Sequence, residues 1–232
     1  MPKKAAPVAQ TQETPASSSL PMEYDVRIQS LKMNGNSRAT ASVNINGGFA
    51  VRGVSVMEGK NGLFVSMPSV KLENGEYLDH CFPCTKESRA AFDKAVLDAY
   101  QQVLTHGLNG QKQENPAQLP LEYTVKIQSL RPGSGSLKGT ASVNLNDQFA
   151  IRRVSIMESS KGLFVSMPGF KGFKGYQDYC FPCTKESFTQ FQNTVLDAYQ
   201  QAIVQSQEAG QQMEAPDPFA AQTKNTAPVM QM

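Results

Sequence analysis

Four cysteines have the spacing that most directly suggests chemistry. Cys81 and Cys84 form one Cys-x-x-Cys pair, Cys180 and Cys183 form another, and the whole run Cys-Phe-Pro-Cys-Thr-Lys-Glu-Ser occurs at both places. Four thiolates could close a tetrahedral zinc site, and each pair alone could run thiol-disulfide exchange. The plainer alternative is thiols packed as small hydrophobes. Acid-base chemistry has less to work with. His80 and His106 are matched in the second occurrence by Tyr179 and Gln205, so neither imidazole is duplicated. The acids that recur, Glu58/Glu158, Asp79/Asp178 and Asp98/Asp197, fall beside turns or on the polar face of a helix, where carboxylates are ordinarily solvated. No glycine-rich phosphate loop opens a helix. No catalytic residue, metal ligand, cofactor or small-molecule substrate is expected, and the chain reads as a non-enzyme.

Cations are the other candidates, because phosphate contacts require them. Basic residues stand at matched positions as Arg27/Lys126, Lys32/Arg131, Arg38/Lys138, Arg52/Arg152, Lys71/Lys171 and Lys86/Lys185. Those expected to touch nucleic acid are Arg27, Arg52, Lys71, Lys86 and Arg89 in the first half, with Lys126, Arg152, Lys171, Lys174 and Lys185 in the second. The competing reading is an ordinary mixed surface on a protein-interaction adaptor. A formal net charge of +2 over 232 residues excludes a polybasic coat, and a 40% hydrophobic content excludes a wholly disordered chain. No run approaches the roughly 18 apolar residues of a membrane span, and the start, Met1-Pro2-Lys3-Lys4, leads into polar residues. A cytoplasmic protein with reduced thiols and no membrane partner is the expectation.

What must position these groups is a module present twice. Tyr24-Asp25-Val26-Arg27-Ile28-Gln29-Ser30-Leu31 returns as Tyr123-Thr124-Val125-Lys126-Ile127-Gln128-Ser129-Leu130, and Gly62-Leu63-Phe64-Val65-Ser66-Met67-Pro68 returns at 162–168. One residue is gained near Gly133-Ser134-Gly135, and one is lost in the loop before Tyr176. The chain divides into a disordered tail (1–20), a first module (21–105), a flexible linker (106–119), a second module (120–205) and a second disordered tail (206–232). A Gly-, Gln- and Asn-rich linker of this length spans on the order of 20 Å, enough to set the modules side by side.

Within a module, Tyr24, Val26 and Ile28 alternate with polar residues, as do Ala41, Val43 and Ile45, which is the period of a half-buried strand. Asn46-Gly47-Gly48 and Asn146-Asp147-Gln148 predict hairpin turns, Arg52-Gly53 a bulge, and Leu63–Met67 a fourth strand ended by Pro68. Phe92, Val96, Ala99, Tyr100 and Val103 then fall at helical spacing, behind Thr85 or Thr184 as N-cap. The fold class is α+β: four antiparallel strands and one C-terminal helix per module. Modules this small leave an apolar face or a strand edge, so the two copies should pair as a pseudo-symmetric internal dimer.

These segments, in this order, resemble the stage V sporulation protein G family, also called the septation regulator family. Asp25-Val26-Arg27-Ile28, Ala41-Ser42-Val43, Asn61-Gly62-Leu63-Phe64-Val65-Ser66-Met67-Pro68-Ser69, Asn74-Gly75-Glu76-Tyr77 and Val96-Leu97-Asp98-Ala99-Tyr100 carry the resemblance, and each copy is covered almost end to end. The resemblance implies a dimerising bacterial α+β module that regulates septation or sporulation and binds DNA or, in some members, RNA. It also bears on the cysteines. The family has Ala-His-Pro-Ile where this chain has Cys81-Phe82-Pro83-Cys84, so both thiols replace core-type residues, and ordinary core thiols become the favoured reading over zinc or redox use. Two departures stand out: the family's paired Lys-Arg after Met-Pro-Ser is reduced to Val70-Lys71 and Phe170-Lys171, and Arg89 becomes Phe188. Phe170, Phe173 and Tyr176 could stack on single strands, or could simply pack a loop.

Overall fold

The computed structural model describes residues 20–111, 117–131, 133, 135–172 and 175–213. In the first module the strands are β1 (Tyr24–Leu31), β2 (Ser37–Ile45), β3 (Phe49–Gly59) and β4 (Gly62–Ser66). A small hairpin, β5 (Ser69–Lys71) and β6 (Tyr77–Asp79), follows, then β7 (Cys81–Pro83) and helix α1 (Lys86–His106). The second module repeats the series as β8 (Tyr123–Leu130), β9 (Leu137–Leu145), β10 (Phe149–Ser159) and β11 (Gly162–Ser166). It ends with β12 (Gly169–Gly172), β13 (Gly175–Asp178), β14 (Cys180–Pro182) and helix α2 (Lys185–Met213). The expected α+β meander with a C-terminal helix is present in both halves.

Local chemistry accounts for the meander. Asn46 and Gly47 have φ of 50° and 67°, and Asn146 and Asp147 have 49° and 54°, the two successive left-handed residues of a type I′ hairpin turn. Asn46 and Asn146 also accept, through Oδ1, the backbone N–H of Glu23 and Glu122, both at 2.7 Å, which ties each turn to the strand before it. At the expected bulge, Arg52 and Gly53 stand opposite the single residue Ser42, and Gly53 takes φ 76°. Arg153 holds the same place in the second half with φ 61°, a conformation that is uncommon for a residue with a Cβ.

The bulge divides β3. Beyond it, Ser55–Gly59 pair with β4 of the same module. Before it, Phe49–Val51 pair with β14 of the other module, in the register Phe49↔Pro182, Ala50↔Phe181 and Val51↔Cys180. The second half reciprocates, with Phe149↔Pro83, Ala150↔Phe82 and Ile151↔Cys81. Each sheet therefore has five strands, four of its own and one donated by its partner, where the sequence indicated four. The expected pseudo-dimer is a strand exchange. A three-residue strand carries no periodicity that reveals which sheet it joins, and the cysteine motif conceals it further.

Each helix follows its donated strand and packs against its own module, so the apolar side chains of both halves form one cluster. Phe92 of α1 meets Tyr24 edge-on at 5.2 Å and also Phe149 of the other half at 6.0 Å. Phe191 of α2 meets Tyr123 at 5.3 Å and Phe49 at 5.9 Å. Thr85 caps α1 through a reciprocal capping box with Ser88, whose Oγ also donates to Gln148 O of the second module at 2.9 Å. Thr184 accepts the Ser187 N–H at 3.1 Å in the same role.

Two boundaries differ from expectation. Helix α2 continues to Met213, past residue 205, and no proline interrupts it over that stretch. The linker is anchored at its described ends. Gln111 brackets β1 by accepting from Ile28 N at 2.7 Å and donating to Ile28 O at 2.9 Å, and Leu119 N donates to Asn46 O at 3.1 Å. Residues 1–19, 112–116 and 214–232, which include most of both tails, lie outside the described residues.

The exchange predicts what happens when the linker is cut. With a protease site inserted between residues 112 and 116, the two fragments should co-elute at the mass of the uncut protein by light scattering, since the donated strands and the shared core remain. Fragments that separate without denaturant would contradict it.

Candidate functional site

The exchange brings the two copies of the cysteine motif to the pseudo-two-fold axis. His80 and Tyr179, equivalent in sequence, stack there with ring centroids 4.6 Å apart. The peptide before each donated strand is clamped to the bulge opposite it: Arg52 N donates to Tyr179 O at 2.6 Å, and Arg152 N to His80 O at 2.7 Å. Next to the stack, Cys81 and Cys180 are buried, and burial first, with the neighbouring Cys81 thiol second, raises the Cys180 thiol well above its ordinary value. Cys84 and Cys183 end the donated strands in the open. Cys84 donates from Sγ to Asn144 Oδ1 at 3.5 Å, and Cys183 Sγ accepts from Asn44 Nδ2 at 3.7 Å, each across to the other module's sheet. All four are free thiols. Core thiols thus describe Cys81 and Cys180 but not Cys84 and Cys183, because every second residue of a strand faces the opposite side. Among the described residues no group of three or more His, Cys, Asp or Glu side chains converges as a metal site would require. Partial burial also raises Cys84 and Cys183, which works against the thiolate a redox centre needs.

The candidate cations lie on the sheet face turned away from the core. Arg27 pairs with Ser42 and Lys126 with Ser142, and both are exposed. Arg52 lies over the ring of Phe181 with its guanidinium carbon 4.3 Å from the centroid, and Arg152 over Phe82 at 4.4 Å. Each arginine thus rests on the strand that the other module donates. Lys86 and Lys185 open the helices, immediately after those strands. Cys84 N donates to Gln148 O at 2.8 Å and Cys183 N to Gly48 O at 2.9 Å, so each helix start sits on the turn of the opposite module. The sequence grouped the cations module by module, but the fold regroups them. Arg27 and Arg52 belong with Lys185, and Lys126 and Arg152 with Lys86.

Lys71 and Lys171 are exposed, each on a small β-hairpin. Lys174 and Phe173 lie outside the described residues. Arg89 is employed internally: Nη2 donates to Val65 O at 2.6 Å, and Nε to Asp93 at 2.9 Å. Other cations are balanced by neighbouring acids, with Arg38 paired to Glu58, Lys138 to Glu158 at 2.7 Å and Lys94 to Asp98 at 2.5 Å. The sequence reading missed Arg153. It is exposed at the left-handed bulge position, and its charge is felt by His80 at the axis. The signal was present, since a second arginine follows Arg152 where the first copy has Gly53.

His80 carries a pH dependence. Burial first, and the Arg153 charge second, lower its pKa below 6.5 against a smaller opposing effect of Asp79, and its Nδ1 is buried without a partner. A folded-state pKa below the unfolded value means that the unfolded chain binds the proton more readily. The stability His80 supports is therefore complete above pH 6.5 and declines as pH falls through the lowered folded value. Melting temperature should drop between pH 7 and pH 5, and His80→Tyr, which copies Tyr179, should flatten that drop. An unchanged slope in the variant would contradict the assignment.

The family comparisons agree with this architecture. The SpoVG family profile matches residues 22–102 and again residues 122–201. A Clostridium novyi relative is 39% identical over 90 residues, which is 39% of this chain and 90% of the relative. One from Clostridium perfringens is 42% identical over 79 residues, covering 34% of this chain and 88% of the relative, and one from Caldicellulosiruptor bescii is 39% identical over 83 residues, covering 36% and 94%. All three have "septation protein SpoVG" in their names. Each relative is thus about the length of a single copy. With the family profile matched twice and the two matches joined by exchanged strands, the chain belongs to the SpoVG family as a tandem of two modules.

Proposed function

We propose that the protein is a non-catalytic regulator of the septation or sporulation type that binds DNA or RNA as a fused pseudo-dimer. The observation that carries this reading is the pair of cationic surfaces assembled across the modules. One combines Arg27 and Arg52 with the Lys171 hairpin and the Lys185 helix start, and the other combines Lys126 and Arg152 with Lys71 and Lys86. Among the described residues, none of these eight takes part in the carboxylate ion pairs that occupy Arg38, Arg89, Lys94 and Lys138. Arg52 and Arg152 are each held by an aromatic partner, and each helix-opening lysine adds a cation at the helix end whose free N–H groups favour anions. Covalent linkage fixes the separation of the two surfaces, so a nucleic acid that reaches both is bound at two points. The family membership supports the septation role, and the relatives are named for it.

Gel-shift titration against duplex DNA and single-stranded RNA at two salt concentrations tests the reading. Joint charge reversal, Arg27→Glu with Lys126→Glu, should weaken binding by about tenfold or more and reduce its salt dependence. Binding no tighter than about 10⁻⁴ M even at low salt would rule the reading out, and would favour an adaptor that keeps the fold without nucleic-acid binding.

A further inference from the structure

The two halves differ where symmetry would make them alike. In the second half a surface cavity of about 530 Å³ opens beside the donated strand β14, within the size range of small-ligand sites. Its walls are aromatic, from Phe164, Tyr176, Phe181 and Phe188, and polar groups reach it from Arg52 and Asp178. Arg52 belongs to the first module, so the cavity exists only because the strands are exchanged. Phe164, Tyr176 and Phe188 are 39%, 65% and 52% exposed, a concentration of uncovered rings that a solvated surface does not need. In the first half Arg89 occupies the position of Phe188. Its guanidinium reaches across to Val65 O and pairs with Asp93, which the second half replaces by Gln192.

We propose that this cavity receives an unpaired base of a single-stranded nucleic acid, a specialisation of the second half that rests on the nucleic-acid reading above. Rings that are exposed at their faces bind bases by stacking, whereas a paired base in a duplex offers no free face. Cations flank the cavity where the adjoining phosphates must run. Arg52 stands over Phe181, Lys171 lies on the hairpin that also presents Tyr176, and Lys185 lies one helical turn before Phe188. A bare apolar side chain of a protein partner would have no use for these cations. Ser166, Gln177 and Asp178 complete the polar part of the wall, and the Asp178 carboxylate can accept from an exocyclic amino group, which favours cytosine, adenine or guanine over thymine.

The test uses the full chain, labelled decamers of dC, of dT and of abasic sugar-phosphate, and a 20-base-pair duplex, at one salt concentration. Phe188→Arg copies the first half and adds a positive charge, so electrostatics and stacking predict opposite signs. The proposal expects wild type to bind the dC decamer at least tenfold tighter than the abasic one. It expects Phe188→Arg to weaken the dC decamer by about fivefold or more while duplex affinity holds or rises, within the range assigned to loss of one base-aromatic stack. Phe188→Ala, without added charge, should also weaken only the decamer. Equal binding of dC and abasic decamers, or a Phe188→Arg variant that tightens single strands and duplex together, would overturn the base site while leaving the nucleic-acid reading standing. Wild type that binds neither strand nor duplex would overturn both.

Discussion

The reciprocal loan of two three-residue strands is the constraint on which the rest depends. β14 completes the first sheet along Phe49–Val51, and β7 completes the second along Phe149–Ile151. Without the loan, each central strand would leave half of one edge unpaired next to its bulge, with backbone groups that must find partners. Because the helices begin where the loaned strands end, the exchange also decides where α1 and α2 start, and so where Phe92 and Phe191 enter the common core. The candidate cationic surface follows from the same event. Arg52 and Arg152 rest on Phe181 and Phe82, rings that arrive only with the partner's strand.

Local features were legible in the sequence because local rules govern them. The alternating strands, the Asn-Gly turn, the bulge at Arg52-Gly53 and the Thr85 cap all involve residues within a few positions of each other, where dihedral preference and side-chain period decide. The exchange was not legible in this way. Cys81-Phe82-Pro83 is too short for a period to show, and its partner lies some seventy residues away in Phe149–Ile151. The same gap explains the cysteines. Alternation along a strand separates buried Cys81 from exposed Cys84, but without knowing that a strand runs there, all four thiols read alike as core residues. The candidate cations were recognised individually but grouped by module, since chain proximity was the only available guide. Arg153 was overlooked because it breaks the duplication used as the filter.

The asymmetry between the halves has a physical logic. A fused pair, unlike two identical chains, can change one copy alone. The substitutions Gly53 to Arg153, His80 to Tyr179, Asp93 to Gln192 and Arg89 to Phe188 between equivalent positions all cluster near the axis or near the donated strands. The sheet cores stay apolar: Val43 and Val143, Phe49 and Phe149, Val54 and Val154 are the same residues, while Ile45 and Leu145, Val51 and Ile151, Val56 and Ile156 exchange one aliphatic side chain for another, and all are buried. Packing constrains the shared core, because a core change in one copy is felt by both. The surface at the crossover can diverge, and it is there that the halves acquire distinct properties.

If the exchange makes one folding unit of two modules, damage to one must unfold both. Phe92→Ala removes a fully buried ring that touches both halves, and such truncations cost about 3 to 5 kcal/mol. The direct measurement is hydrogen exchange of backbone amides in this variant, followed separately for β1 to β3 and for β8 to β10. The account predicts a single unfolding transition, with protection lost to the same extent in both sets of strands. Loss confined to the first module, with the second unfolding in its own later transition, would contradict it.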